Sequence, residues 1–262
     1  MKKSGVCLMT KHLVIPDTQV KDGQDFTFLN NIGRYIIEKK PDVIVHLGDF
    51  ADMESLSSYD VGKKSFEGRR YTKDIEAARQ AMDALLTPLR EFNNQAREQK
   101  KKQYHPRLVL TLGNHEQRIM RAVNDDAKLE GLIKYEDLPY NDWEVHDYLE
   151  PVFIDGVAYC HYFPTGVLGR PATTASAMVS KLHMSCVAGH QQGKQVAYGK
   201  RPDGSTITCI IAGSCYEHNE TYLGHQGNQH FRGFLVAHEV NNGTFDEMFV
   251  SLDYLKKRYA ES

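Results

Sequence analysis

Apolar runs and amphipathic stretches alternate along the first half of the chain. His12 to Pro16 (HLVIP) is a short apolar run that reads as a strand. Phe28, Leu29, Ile32, Tyr35 and Ile36 then recur at helical spacing, and the helix they predict ends before Pro41. Val43 to Leu47 (VIVHL) reads as a second, buried strand. A second helix is expected from about Thr72, carried by Ile75, Ala78, Met82, Leu85, Leu86, Leu89 and Phe92, with Pro88 expected to kink it. Leu108 to Leu112 (LVLTL) is a third buried strand. This order of elements favours right-handed βαβ units and a parallel sheet. Residues 53–70 break the rhythm: they are polar, Ser-rich and then basic, and read as a long loop that suits a substrate loop.

The second half patterns differently. Strands are expected at 152–163, 186–188, 206–212, 234–238 and 245–252, with one helix between Ala172 and Leu182. That balance predicts a second mixed or antiparallel sheet packed on the first, an α/β fold built as a β-sandwich flanked by helices. No linker, repeat or low-complexity run divides the 262 residues, so a single domain over 1–262 is expected.

Composition narrows the class. A net charge of -2 argues against retention on nucleic acid by overall charge, while leaving a local basic groove open. No run approaches the roughly 20 apolar residues of a membrane span, so no membrane partner is expected. The first residues lack the apolar stretch of a signal peptide. The five cysteines have no CxxC spacing and read as reduced thiols of a cytoplasmic protein, not as a disulfide framework or a thiolate zinc site.

The polar residues at the strand ends are the informative ones. Successive apolar runs end in Asp17 with Gln19, Asp49 with Asp52, Asn114 with His115, His161, and His190 with Gln192. Each alone has an ordinary explanation as a turn residue, a helix cap or a satisfied core histidine. Together they would gather oxygen and imidazole donors beyond the carboxyl ends of strands, where α/β sheets place ligand sites.

With these residues in view, Gly48–Asp52 (GDFAD) and Gly113–Glu116 (GNHE) resemble the two central motifs of the calcineurin-like metallophosphoesterase superfamily. Asp17, His161 and Gly189-His190 stand where that family has its D-x-H, its later lone His and its G-H-x-H. The chain is also similar to compact metallophosphoesterases of tailed bacteriophages, which implies no substrate. The resemblance implies a four-layer αββα sandwich and two divalent metal ions. Asn114, His161 and His190 would hold one ion, Asp17, Gln19 and Gln192 the other, and Asp49 would bridge them. It also implies that His115 acts on the phosphate and that Asp52 orients His115. The chain departs from the family where Gln19 and Gln192 replace histidines of one metal. An amide oxygen is a poorer donor than imidazole, so one weak site is expected, with Mn²⁺ favoured and Mg²⁺, Fe or Zn²⁺ as alternatives. His218, His225 and His230 are candidates to compensate.

Two such ions about 3.5–4 Å apart suit phosphoester hydrolysis. Arg118, Arg121, Arg69 and Arg70 are candidates to grip phosphate. The GDxxD motif continues as Met53-Glu54, without the Arg-Gly of the family's Ser/Thr protein phosphatases, and little chain remains after residue 192 for a nuclease capping domain. A phosphodiesterase or nuclease acting on nucleotides or nucleic acid is therefore the leading expectation. A non-catalytic scaffold on a degenerate site is the alternative.

Overall fold

Three parallel strands carry the first half of the site. In the computed structural model, which describes residues 9–219 and 224–260, β1 (Thr10–Ile15), β2 (Val43–His46) and β3 (Arg107–Thr111) lie side by side. They are connected by α1 (Thr27–Lys39) and α2 (Tyr71–Glu98). A short β4 (Glu144–His146) extends this sheet at one edge. At the other edge β10 (Gly233–Asn241) and β11 (Thr244–Ser251) add antiparallel strands, giving the order β11-β10-β1-β2-β3-β4. The second sheet has the order β5-β6-β7-β9-β8, from β5 (Val152–Ile154), β6 (Val157–Cys160), β7 (Cys186–Ala188), β8 (Gln195–Lys200) and β9 (Thr206–Ile211). Strands β6, β7 and β9 run parallel.

Side-chain alternation explains why the strands are apolar throughout. Leu13 and Ile15 join a core with the helices, while Val14 between them joins a core with the second sheet; Ile44 separates Val43 and Val45 in the same way. Both faces of the first sheet are covered, as a continuous apolar strand requires. The second sheet meets the first through Tyr159, Val187 and Ile210, and turns Cys160, Cys186 and Cys209 toward Met178 of α4 (Ala175–Leu182). The layers are therefore helices, sheet, sheet, helix, the expected αββα sandwich. Cys160, Cys186, Cys209 and Cys215 are buried free thiols, and Cys7 lies outside the described residues. No helix among the described residues is long and apolar enough to cross a membrane.

Pro88 sits inside α2 without ending it. Its missing N–H leaves the Ala84 carbonyl without a helical donor, and Asn30 Nδ2 of α1 donates to that carbonyl instead (3.3 Å). Gly33 makes room for this contact between helices, since a Cβ there would lie 2.3 Å from the Leu85 carbonyl oxygen. Several boundaries differ from the sequence expectation. The run 152–163 is a hairpin, not one strand: Asp155 and Gly156 both take positive φ, the tight two-residue turn that Asp-Gly favours. Residues 53–70 contain two 3₁₀ turns, Glu54–Leu56 and Lys64–Phe66. The helix expected from Ala172 starts at Ala175, because the Thr174 hydroxyl caps it by accepting from the Ala177 N–H. Strands β4 and β8 carry no clear apolar signal, because one is exposed and the other half-polar. The remaining helices are α3 (Gln117–Asp125), α5 (Gly224–Gly227) and α6 (Leu252–Tyr259), and Leu252 and Leu255 of α6 close the helical face of the first sheet.

Gly33→Ala should cost roughly 1–3 kcal/mol by forcing α1 and α2 apart. Urea unfolding measures this, and an unchanged midpoint would show that the two helices separate without penalty.

Candidate metal centre

The loops after β1, β2, β3, β6 and β7 converge at one edge of the sandwich. Asp17 and Asp49 are both buried there. Asp49 Oδ1 accepts from the His115 N–H (2.8 Å), and Asp17 Oδ1 accepts from the His190 N–H (2.9 Å). Each carboxylate thus ties one motif to another far along the chain. Two glycines permit this approach: a Cβ on Gly113 would fall 2.1 Å from Asp49 Oδ1, and one on Gly189 would fall 2.5 Å from Asp17 Oδ1. Gln19, Asp49, Met53 and His190 all take positive φ, a strain of roughly 1–3 kcal/mol each that the surrounding hydrogen bonds must outweigh.

Glu116 supplies much of that restraint. Its buried carboxylate accepts from the backbone N–H groups of Asp49 (2.9 Å), Phe50 (2.8 Å), Ala51 (3.2 Å) and Gly113 (2.9 Å), and from the Tyr140 hydroxyl (2.9 Å). Burial and the nearby Asp49 push its pKa up, and these donors work against them. His46 is a second restraint. Its Nδ1 accepts from the Gly48 N–H, so Nε2 is left to donate toward the Thr18 hydroxyl (3.3 Å). Burial lowers its pKa to about 3, which keeps it neutral.

The imidazoles are set for ligation. His161 donates from Nδ1 to the Leu47 carbonyl (2.8 Å), which leaves Nε2 aimed at Asn114 Oδ1 (2.9 Å) and near Asp49 Oδ2 (3.4 Å). Donor atoms of Asp49, His161 and His190 lie within 4.8 Å of one another. Burial, with His161 nearby, lowers the pKa of His190 to about 4, so its ring is neutral at pH 7. His115 differs. Its Nδ1 donates to Asp52 Oδ1 (2.8 Å), and its Nε2 stands 3.6 Å from Asp49 Oδ2. Burial opposes its charge, but Asp49 and Asp52 raise its pKa to about 9. Although burial pushes Asp52 up, His115 holds its carboxyl well below the usual range.

The other residues read from the sequence are placed less alike. Gln19 is buried beside Asp49, its N–H on the Asp49 carbonyl (2.9 Å). Gln192 is half-buried, two residues past His190, with its carbonyl near Gly213. Arg118 turns inward onto Asp52 and the Met53 carbonyl. Arg69 is paired with Asp60 (2.9 Å) and Glu54 (3.6 Å) in the 53–70 loop. Arg70 is exposed and donates to the Arg69 carbonyl (2.8 Å), and Arg121 is exposed on α3. A cleft of about 570 Å³ opens between that loop and Gln19, Asn114 and His115. Of the later histidines, His218 stacks on Tyr216 at 4.3 Å, His230 bonds Gly227 and Ser214, and His225 is exposed. None joins the group of Asp49, His161 and His190. The sequence pattern assigned no role to Glu116, Tyr140 or His46. Glu116 stood in view within GNHE, while Tyr140 and His46 carried no signal of their own.

The profile of the calcineurin-like phosphoesterases matches residues 10–190, which hold every one of these donors except Gln192. The chain belongs to the calcineurin-like phosphoesterase family. No curated protein matches it. Among solved structures, it is similar to a predicted phosphoesterase from Streptococcus pneumoniae TIGR4, with 12% identity, a TM-score of 0.37, and coverage of 94% of this chain and 91% of that one. It is also similar to a zinc-complexed Vps29 from Entamoeba histolytica (12% identity, TM-score 0.38, coverage 92% and 99%). A dimetal phosphatase from Danio rerio gives 10% identity, a TM-score of 0.40, and coverage of 93% and 99%. Likenesses this distant bear on neither substrate nor activity.

Membership of the calcineurin-like phosphoesterases implies divalent metal ions, and the donors fit them. Asp17 Oδ2 is buried without a hydrogen-bond partner among the described residues. Burial pushes the Asp17 carboxyl up to about 7, with His161 pulling it down and Asp49 pushing it further up. A cation would relieve that cost, and the lone pairs of His161 Nε2 and Asn114 Oδ1 face each other where a cation could accept both.

Mn²⁺ at about a hundred times its Kd should therefore raise stability by roughly 2.7 kcal/mol. Thermal melts with and without metal read this, and Asp49→Asn should remove most of the gain. Glu116→Gln should cost roughly 3 kcal/mol, because its NH₂ would face backbone N–H groups. Denaturant titration checks it, and a loss below about 1 kcal/mol would show that the latch is redundant.

Proposed function

We propose that this calcineurin-like phosphoesterase hydrolyses phosphodiesters of nucleotides or nucleic acid. Bound divalent cations supply Lewis-acid stabilisation of charge on the phosphoryl oxygens. Asp49, Asn114, His161 and His190 would form the stronger metal set. Asp17, Gln19 and Gln192 would form a weaker set that favours Mn²⁺ or Mg²⁺ over Zn²⁺, with Asp49 shared between the two. The single observation that carries the reading is the His115–Asp52 pair beside Asp49: Asp52 Oδ1 accepts from His115 Nδ1 at 2.8 Å and turns Nε2 toward Asp49, where it can serve a leaving oxygen as general acid. Asp52 holds the ring through Nδ1, so Nε2 is the atom that delivers the proton.

Charge at the cleft favours a diester over a monoester. Lys21, Lys63, Arg69 and Arg118 line it, and each is already paired with Asp52, Glu54 or Asp60. A cleft whose cations are engaged suits the single negative charge of a diester better than the double charge of a monoester. The buried free thiols support a reducing, cytoplasmic setting.

Metal-stripped protein, reloaded separately with Mn²⁺, Mg²⁺ or Zn²⁺, should cleave bis-p-nitrophenyl phosphate faster than p-nitrophenyl phosphate, and fastest with Mn²⁺. Asn114→Ala should abolish turnover, and His115→Ala should lower kcat by about 10²–10⁴-fold. Preference for the monoester would redirect the assignment to a phosphatase. Absence of turnover with every metal, in folded protein, would favour a scaffold role.

A further inference from the structure

The cleft beside the candidate metal donors has one extended apolar face. Gln19, Asn114 and His115 line it from the donor loops, and Tyr59 lines it from the 53–70 loop. Tyr59 is 78% exposed, and its side chain makes no hydrogen bond or ring contact among the described residues. The charged residues around it are engaged: Lys21 and Arg118 with Asp52, and Lys63 and Arg69 with Asp60. The cleft thus satisfies its own charges and leaves an aromatic ring open to a ligand.

The loop holds that ring in a braced turn. Ser57 is buried, its hydroxyl donates to Asp60 Oδ2 (3.0 Å), and the Asp60 N–H donates to the Ser57 carbonyl (3.5 Å), so Tyr59 is the third residue of a closed four-residue turn. Asp60 also accepts from Lys63 (2.9 Å) and Arg69 (2.9 Å), and Arg69 donates to the Glu54 carbonyl (3.2 Å). The Ser55 N–H donates to Asp74 Oδ2 of α2 (3.0 Å), which ties the loop to the helical layer. A tyrosine has two side-chain torsions, and on such a mount it loses little freedom when a ligand covers it. Val61, two residues on, is also exposed but does not line the cleft. Position, more than exposure, sets Tyr59 apart.

A flat aromatic face in the same cleft as a phosphoester site suits a ligand that carries a flat ring beside its phosphate. Nucleobases stack on aromatic side chains whatever their identity, because every base has a π-face. The cleft volume of about 570 Å³ falls within the roughly 300–1,000 Å³ of small-ligand sites, so there is room for a nucleoside phosphate.

We propose that Tyr59 is a stacking platform for the base of a nucleotide whose phosphate lies at the donors of Asp49, Asn114 and His161. The assignment rests on the phosphoesterase reading of those donors and narrows it to substrates that bring an unpaired base into the cleft.

Calorimetry on the Mn²⁺-loaded full chain tests this with adenosine 5′-monophosphate and its base-free counterpart, ribose 5-phosphate. The nucleotide should bind about tenfold more tightly, the worth of one stacked base. Tyr59→Ala should bring the ratio of the two constants close to one. Tyr59→Phe should preserve it, since the ring carries the stacking, and so should Val61→Ala. A ratio near one in the unaltered protein overturns the proposal, as does a ratio that survives Tyr59→Ala or is abolished by Tyr59→Phe. Loss of the ratio in Val61→Ala as well would assign the effect to the loop as a whole and also overturns it. Hydrolysis of bis-p-nitrophenyl phosphate by the unaltered protein is measured separately. A Tyr59-dependent ratio without hydrolysis fells the hydrolase reading and leaves the base site standing, and hydrolysis with a ratio near one does the reverse.

Discussion

The site depends on one buried carboxylate whose hydrogen bonds run to backbone N–H groups and a tyrosine hydroxyl. Glu116 gathers the N–H groups of Asp49, Phe50 and Ala51 from the loop after β2 and that of Gly113 from the loop after β3, and the Tyr140 hydroxyl completes its set. Hydrogen bonds to an ionised acceptor are roughly twice as strong as neutral ones. That strength lets Asp49 persist at positive φ. It also fixes the distance between the two loops, which is what the Asp49 contact to the His115 N–H requires.

From that anchor the arrangement extends across both sheets. His161, at the end of β6 in the second sheet, donates to the Leu47 carbonyl in the first. The Gly189 N–H donates to the His161 carbonyl, and the His190 N–H reaches back to Asp17 after β1. The Cys215 N–H closes the same seam on the Asp17 carbonyl. The donors therefore belong to neither sheet alone. A cation held among them would tie the two halves of the sandwich together, so metal affinity and fold stability are linked.

The charge distribution runs along the same seam. Asp17 and Asp49 are buried close to His161, while His115 stands between Asp49 and Asp52. Farther out, the cleft cations are paired within the 53–70 loop and its neighbours. Positive charge is thus engaged by carboxylates at the cleft.

The layered fold was legible in the amino-acid pattern, and the polar residues at strand ends that the structure brings together stood out in it. Strands such as Val43–His46 are apolar at nearly every position because both of their faces are covered, and a polar residue at the end of such a strand is conspicuous against that background. Local turn chemistry was less evenly legible, since the Asp155-Gly156 hairpin is masked inside a longer apolar run. Which polar residues serve one another is a matter of tertiary packing. Arg118, Arg69 and Arg121 are alike in the sequence, yet the first two are engaged by carboxylates brought from elsewhere in the chain, and no carboxylate among the described residues engages Arg121. Glu116 and Tyr140 acquire their roles in the same way. Hydrogen bonds and ion pairs act over a few ångströms between residues tens to more than a hundred positions apart, and that proximity exists only once the two sheets have packed.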